Sequence, residues 1–260
     1  MARIYPLFSS SKGNATFVGT QKGGILIDAG VSCKRLCSAL DANGIPTSAI
    51  QAILISHTHS DHISGLKVFT KNHNIPVYAQ RINLDELTTK NKVDPKCELN
   101  AVDFSDICIG DFKVNSFNTP HDTAASCGYR IETPDGKVFV SCTDLGHITP
   151  DIKQNFTGAD LVLLESNYDV NMLRNGSYPY DLKMRISSKH GHLSNNDCSS
   201  ELVHLLKSGT YRFVLGHLSQ ENNTPQIAES TAVSALSQIA SAKDYMLITA
   251  KVEGGTAVAF

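Results

Sequence analysis

Short apolar runs alternate with polar stretches along the chain, and several runs stop abruptly at a histidine or a carboxylate. Residues 4–8 and 15–20 read as strands, joined by the turn-rich Ser9-Ser10-Ser11-Lys12-Gly13-Asn14. Residues 24–27 form a further apolar run that ends in Asp28-Ala29-Gly30. Ser32 has the character of an N-cap, for a helix reaching about residue 43 with Gly44 as its stop. Residues 52–56 predict a buried strand, and a helix is expected from near residue 61 to about 73. A short strand at 75–78 and a helix over about 80–92 follow.

The middle of the chain is β-rich, with strands expected at 113–117, 126–132 and 137–142. Pro134-Asp135-Gly136 supplies a hairpin turn between the last two. Helices and strands then alternate: a helix after Pro150, a strand at 159–164, a helix from Ser194 to about 207 and a strand at 212–215. A helix over about 225–240 and strands near 245–248 and 256–259 close the chain. Each half thus runs from mostly β to αβ. That order predicts an α/β fold, a four-layer αββα sandwich, as one domain spanning residues 1–260.

The stretch Ile53-Leu54-Ile55-Ser56-His57-Thr58-His59-Ser60-Asp61-His62 places three histidines and an aspartate where an apolar run ends. Imidazole and carboxylate are ligands for first-row metals. Further polar candidates recur at the ends of later strands: His121, Asp144, Glu165, His192 and His217. One histidine at a strand end means little. A cluster of four with several further candidates predicts a metal site. His57 and His59 are two apart and share a side in extended backbone, whereas Asp61 and His62 begin the next turn and point elsewhere. Two neighbouring ligand sets from one loop suit a two-metal centre, in which ions ~3.5–4 Å apart clamp the attacking and leaving oxygens of a displacement.

Composition narrows the setting. No apolar stretch approaches the ~20 residues that span a bilayer. Met1-Ala2-Arg3-Ile4-Tyr5 lacks the apolar core of a signal peptide, so a cytoplasmic location without membrane contact is expected. The seven cysteines (Cys33, Cys37, Cys97, Cys108, Cys127, Cys142 and Cys198) are scattered and contain no CxxC pair, which predicts reduced thiols. A net charge of −2 excludes a uniformly basic surface, so contact with nucleic acid must rest on a local patch.

His57-x-His59-x-Asp61-His62, followed in order by His121, Asp144 and His217, resembles the signature of the metallo-β-lactamase superfamily over essentially the whole chain. The resemblance implies two divalent ions, Zn, Mn or Fe. His57, His59 and His121 would hold the first, Asp61, His62 and His217 the second, and Asp144 would bridge them. A metal-bridging hydroxide would be the nucleophile. Leu164-Glu165-Ser166-Asn167 and Gly191-His192-Leu193-Ser194 resemble paired motifs of the tRNase Z group, which implies that Glu165 orients His192 beside a scissile phosphate. Asp61, Glu165 and His192 are therefore the candidate catalytic side chains.

Three longer runs look similar to the YycJ/WalJ-like branch: Ser11-Lys12-Gly13-Asn14, Gly191-His192-Leu193-Ser194-Asn195 and His217-Leu218-Ser219-Gln220-Glu221-Asn222-Asn223. That branch implies phosphodiester hydrolysis, including 5′→3′ exonuclease action, with nucleic acid as substrate and DNA ahead of RNA. Ser10 stands where the branch usually has Gly, and Tyr168 where it commonly has His.

Other readings stay open. The Ser9–Asn14 stretch is a hairpin turn, or a loop that turns Lys12 and backbone amides to an anion. Asp28 fixes neighbouring loops, or is itself a ligand. Cys142 is a small core residue, or shares the side of Asp144. The basic stretch from Lys183 to His192 contacts phosphates, with Arg174, Tyr178 and Tyr180 beside it, or is a solvated face. His147 is close to Asp144 in sequence, while His73, His190 and His204 have no motif support. Rival functions are hydrolysis of a cyclic phosphodiester, thioester or lactam, and metal-dependent regulation without turnover.

Overall fold

Both faces of most strands are apolar, and each face finds its own core. The computed structural model describes residues 1–103, 105–241 and 244–260. The first sheet contains β1 (Arg3–Ser10), β2 (Gly13–Thr20), β3 (Gly23–Ile27), β4 (Ile50–Ile55), β5 (Val77–Ala79) and β6 (Leu99–Ala101). The second contains β7 (Ile107–Ile109), β8 (Phe112–Asn118), β9 (Cys127–Glu132), β10 (Val138–Cys142), β11 (Leu161–Glu165), β12 (Arg212–Gly216) and β13 (Met246–Thr249). The last strand, β14 (Val258–Ala259), returns to pair antiparallel with β1 at the edge of the first sheet.

The strand orders are β14-β1-β2-β3-β4-β5-β6 and β13-β12-β11-β10-β9-β8-β7. In the first sheet β1, β2 and β3 pair antiparallel and β3 to β6 parallel. In the second, β7 to β10 pair antiparallel and β10 to β13 parallel. The two halves therefore repeat one plan, an antiparallel part followed by a parallel part.

Alternation along the strands builds the layers. Ala52 and Leu54 of β4 join Leu161 and Leu163 of β11 in the core between the sheets. Ile53 and Ile55 point the other way, under α1 (Cys33–Ala42), α3 (Leu66–His73) and α4 (Arg81–Thr89). Val162 and Leu164 pack under α5 (Pro150–Phe156), α8 (Asn195–Lys207) and α9 (Pro225–Leu236). The result is the expected αββα sandwich. Short helices α2 (Ser60–Ile63), α6 (Val170–Asn175) and α7 (Tyr180–Ile186) lie outside these layers, in the connections between strands.

Capping follows the sequence. The Ser32 hydroxyl accepts from the Arg35 amide at 3.4 Å, and the Ser194 hydroxyl from the Asp197 amide at 3.1 Å. Gly136 takes φ of 75° in the β9–β10 turn. The expected helix over 61–73 is two helices. At its break the Gly65 amide donates to Ala29 O at 2.9 Å, and a Cβ at Gly65 would lie 1.9 Å from Val31 O. The chain must turn there to dock on the β3–α1 loop. The helix expected to reach residue 240 ends at Leu236. Strands β6 and β7 and helices α6 and α7 were not foreshadowed by the apolar pattern. Among the described residues, no helix is long and apolar enough to cross a membrane.

Candidate metal centre

The functional side chains sit at or just beyond the ends of strands: Asp28 after β3, His57 after β4, His121 after β8, Asp144 after β10, Glu165 as the last residue of β11 and His217 after β12. Asp28, Asp144 and His217 adopt left-handed backbone, with φ of 60°, 57° and 54°. Asp and His tolerate that region better than branched residues, and strain of this kind is held where surrounding contacts fix it. The β3–α1 loop meets the His-cluster loop at Gly30, where a Cβ would fall 1.6 Å from Asp61 O. Ala29 N also donates to His62 O at 2.8 Å.

These loops bring all seven predicted ligands together. His57, His59 and His121 form one group, Asp61, His62 and His217 another, and Asp144 stands within reach of both. The His121 Nε2 lies 3.3 Å from His59 Nδ1 and 3.8 Å from Asp144 Oδ1. On the other side, His62 Nε2 is 3.3 Å from Asp144 Oδ2, and His217 Nε2 is 3.4 Å from Asp144 Oδ1. Asp61 Oδ2 is 3.4 Å from His62 Nε2 and 3.6 Å from His217 Nε2.

The inward atoms fit a cation. His57 Nε2, Asp144 Oδ2 and His217 Nε2 are buried and have no hydrogen-bond partner. Buried polar atoms left this way are costly unless something satisfies them. The facing atoms are nitrogen and carboxylate oxygen only, a set suited to divalent first-row metals.

The outward nitrogens are held in place. Ser56 Oγ lies 3.1 Å from His57 Nδ1, Asp28 Oδ2 lies 2.7 Å from His62 Nδ1, and Gly191 O lies 3.1 Å from His121 Nδ1. Glu165 Oε1 is 2.8 Å from both His217 Nδ1 and His192 Nδ1. A carboxylate or carbonyl on Nδ1 fixes the tautomer that turns the Nε2 lone pair inward. The other Glu165 oxygen accepts from the Leu145 and Leu193 amides at 3.0 and 3.2 Å, so this buried carboxylate is fully bonded.

Charge follows from this packing. Burial lowers His57 well below the ordinary imidazole range. Burial also opposes charge on His62, His192 and His217, but the carboxylates beside them win. Asp144, Asp28 and Asp61 raise His62 well above its ordinary value. Asp144, Asp61 and Glu165 push His217 up to about 10. Glu165 and Asp144 raise His192. Burial works against the charged form of Asp61, Asp144 and Glu165 as well, yet the neighbouring histidines hold all three carboxyls below their usual range. A cation held at these nitrogens would displace the protons from His62 and His217.

Asp28 accepts from Ser56 N at 2.9 Å and Ser56 Oγ at 2.8 Å besides holding His62, so it fixes the loop that carries the cluster. The Ser9–Asn14 stretch is both a hairpin turn and a wall of the site. Asn14 Nδ2 lies 3.3 Å from Asp61 Oδ2 and 3.1 Å from His62 Nε2, while Ser9 Oγ accepts from His217 N at 2.8 Å. Lys12 is exposed and lies 3.9 Å from Glu221. Cys142 is a core residue beneath the second helix layer. His147 is exposed and binds Lys189 O.

The basic stretch is less free than its composition suggests. Lys183 Nζ donates to Arg174 O and Gly176 O, and Arg185 pairs with Asp122, the neighbour of His121. Tyr180 is 75% exposed on α7, whereas Tyr168 is buried and bridges to Ser194. Three partners had no separate signal in the sequence: the second role of Glu165 on His217, the Asn167 amide that donates to His217 O at 2.9 Å, and the Asn195–Asn223 hydrogen bond of 2.9 Å. That last bond joins the 191–195 and 217–223 runs.

An αββα sandwich with a His/Asp cluster at its strand ends defines the metal-dependent hydrolases of the β-lactamase superfamily. Residues 24–218 match the family model described as the beta-lactamase superfamily domain, and the chain belongs to that superfamily. It is a metal-binding hydrolase. Within the superfamily it falls in the YycJ/WalJ-like branch. It is 37% identical over 241 residues to exodeoxyribonuclease WalJ of Streptococcus pneumoniae serotype 2 (strain D39 / NCTC 7466), covering 89% of this chain and 87% of that protein. Identity to exodeoxyribonuclease YycJ of Bacillus anthracis is 33% over 235 residues, with 89% and 88% coverage. The metallo-β-lactamase fold protein YhfI from Bacillus subtilis superposes with a TM-score of 0.75 over 100% of both chains at 16% identity, a likeness of fold.

Proposed function

We propose that this protein is a two-metal exodeoxyribonuclease, a single hydrolase unit over residues 1–260 that attacks DNA in the 5′→3′ direction. The observation that carries the reading is the Glu165–His192 pair at 2.8 Å beside the ligand cluster. The His192 ring is 5.4 Å from that of His217 and 5.2 Å from that of His121, so it borders both ligand groups. Its side chain is 21% exposed, open enough to meet a substrate. Relatives of nearly the same length named as exodeoxyribonucleases support DNA as the polymer.

In this reading His57, His59 and His121 hold one divalent ion, Asp61, His62 and His217 the other, and Asp144 reaches both. Zn, Mn and Fe all suit these ligands. When bound, the ions supply a nucleophile from water near neutral pH and neutralise charge on the phosphate. Glu165 fixes His192 through Nδ1 and leaves Nε2 to the substrate. Glu165 and Asp144 outweigh burial and raise the pKa of His192, which favours its protonated form. It can then hold phosphate charge and donate a proton to the leaving oxygen. A lactam or thioester needs no such group. Seven free thiols suit a reducing compartment, which supports a cytoplasmic location.

The test is end-labelled DNA and RNA, with bis-p-nitrophenyl phosphate, a thioester and a lactam alongside, in Mn²⁺ and in Zn²⁺. Progressive loss of a 5′ label from DNA is expected. Hydrolysis of the thioester or lactam without any phosphodiester cleavage would reverse the reading.

A further inference from the structure

A second group of ligating side chains lies outside the seven-residue cluster. Cys33 opens α1, Cys37 follows one turn on, and His73 is the last residue of α3. The two sulfurs are 4.0 Å apart, Cys37 Sγ is 3.6 Å from His73 Nε2, and the three ligand atoms lie within 4.8 Å of one another. All three residues are partly exposed, so the group is open to solvent. The Asn72 amide donates to Cys33 Sγ at 3.8 Å, and the Phe69 ring packs 4.7 Å from that of His73.

We propose that Cys33, Cys37 and His73 form a separate zinc site that ties the start of α1 to the end of α3. Tetrahedral zinc with bonds of about 2.3 Å to sulfur and about 2.0–2.1 Å to nitrogen sets S···S near 3.8 Å and S···N near 3.6 Å. The Cys33–Cys37 and Cys37–His73 spacings match these within a few tenths of an ångström, and Cys33 Sγ lies within 4.8 Å of a His73 ring nitrogen, although the three residues come from two helices. Two thiolates and an imidazole select a softer ion than the nitrogen and oxygen set of the hydrolytic centre. With three protein ligands, the fourth position goes to water. Burial and the neighbouring Cys33 push the Cys37 thiol up to about 11, which disfavours a reactive thiol pair as the use of this cluster. A metal displaces that proton on binding.

Placement gives the tie a consequence. Helix α1 begins five residues after Asp28, and α3 begins four residues after His62. Joining the far end of α3 to the start of α1 therefore braces the two loops that meet at Gly30.

The test uses the full chain, stripped of metal, kept reduced with a phosphine and titrated with Co²⁺. Ligands of nitrogen and oxygen give no sulfur-to-cobalt charge transfer, so the near-ultraviolet band reports this site alone. One thiolate-bound cobalt per chain is expected, displaced by Zn²⁺. Cys33→Ser, Cys37→Ser and His73→Ala should each weaken or remove the band and lower bound zinc by one ion. The His59→Ala/Asp144→Ala double variant should keep it. An absent band in the wild-type chain, or one that survives both Cys33→Ser and Cys37→Ser, would overturn the proposal. If a serine variant fails to fold, Zn²⁺ protection of Cys33 and Cys37 from alkylation in the wild-type chain decides the question, and equal labelling with and without zinc would refute it.

Discussion

In the first sheet Asp28 stands past the end of β3 and takes the outer nitrogen of His62 at 2.7 Å. In the second sheet Glu165 ends β11 and takes the outer nitrogen of His217 at 2.8 Å. Both carboxylates are buried, and each backs a histidine that faces Asp61. The difference lies in what else they hold. Asp28 turns its remaining capacity to Ser56, in the loop that carries the ligands. Glu165 shares one oxygen with His192, which is not among the proposed ligands. On the proposed reading one half of the sandwich would hold metal, and the other would hold metal and also position a proton donor.

The largest effect tests what the halves share. Asp144→Ala removes the carboxylate within reach of both ligand groups, and metal content measured by elemental analysis should fall with loss of cleavage to background. His192→Ala separates the halves more sharply. It should leave the ions in place and lower turnover by roughly 10²–10⁴. Loss of metal in that variant would make His192 a ligand instead.

Replacing each backing carboxylate comes next. Asp28→Asn and Glu165→Gln should each weaken metal affinity by about 10–100-fold. Asn accepts left-handed backbone well, so Asp28→Asn keeps the φ of 60°. The pH profile should distinguish them. A step that needs protonated His192 is lost as pH rises through a pKa that Glu165 and Asp144 have raised. In Glu165→Gln this loss should move to lower pH, whereas Asp28→Asn should leave it in place. The smallest effect is at the hairpin wall. Asn14→Ala removes amide contacts to Ser10 O and Asp61, and at about 1 kcal/mol per hydrogen bond the two together should lower Tm by ~4–8 °C.

Much of the first-sheet contribution is local in sequence and was legible there. Four proposed ligands fall within His57–His62 because one loop delivers them, and the apolar run before it marks the strand. The second-sheet contribution comes from separate strand ends, so His121, Asp144, Glu165 and His217 are legible only as a recurring position and through the superfamily pattern. What no pattern showed are two contacts across loops. Asp28 meets His62 34 positions away, and Glu165 meets His217 52 positions away. Helices α6 and α7 escaped notice because none of α7 is buried and only Leu173 of α6 is, which leaves no apolar stripe to read. The break at Gly65 escaped because its cause is a neighbouring loop, not local propensity.

The measurement that bears most directly on the two-carboxylate account is kcat at saturating metal for Asp28→Asn and Glu165→Gln on 5′-labelled DNA. Asp28→Asn should regain nearly the wild-type value once its ions are restored, and Glu165→Gln should stay well below it at the same occupancy. Equal recovery of both variants would contradict the account, since Glu165 would then do no more than Asp28 does.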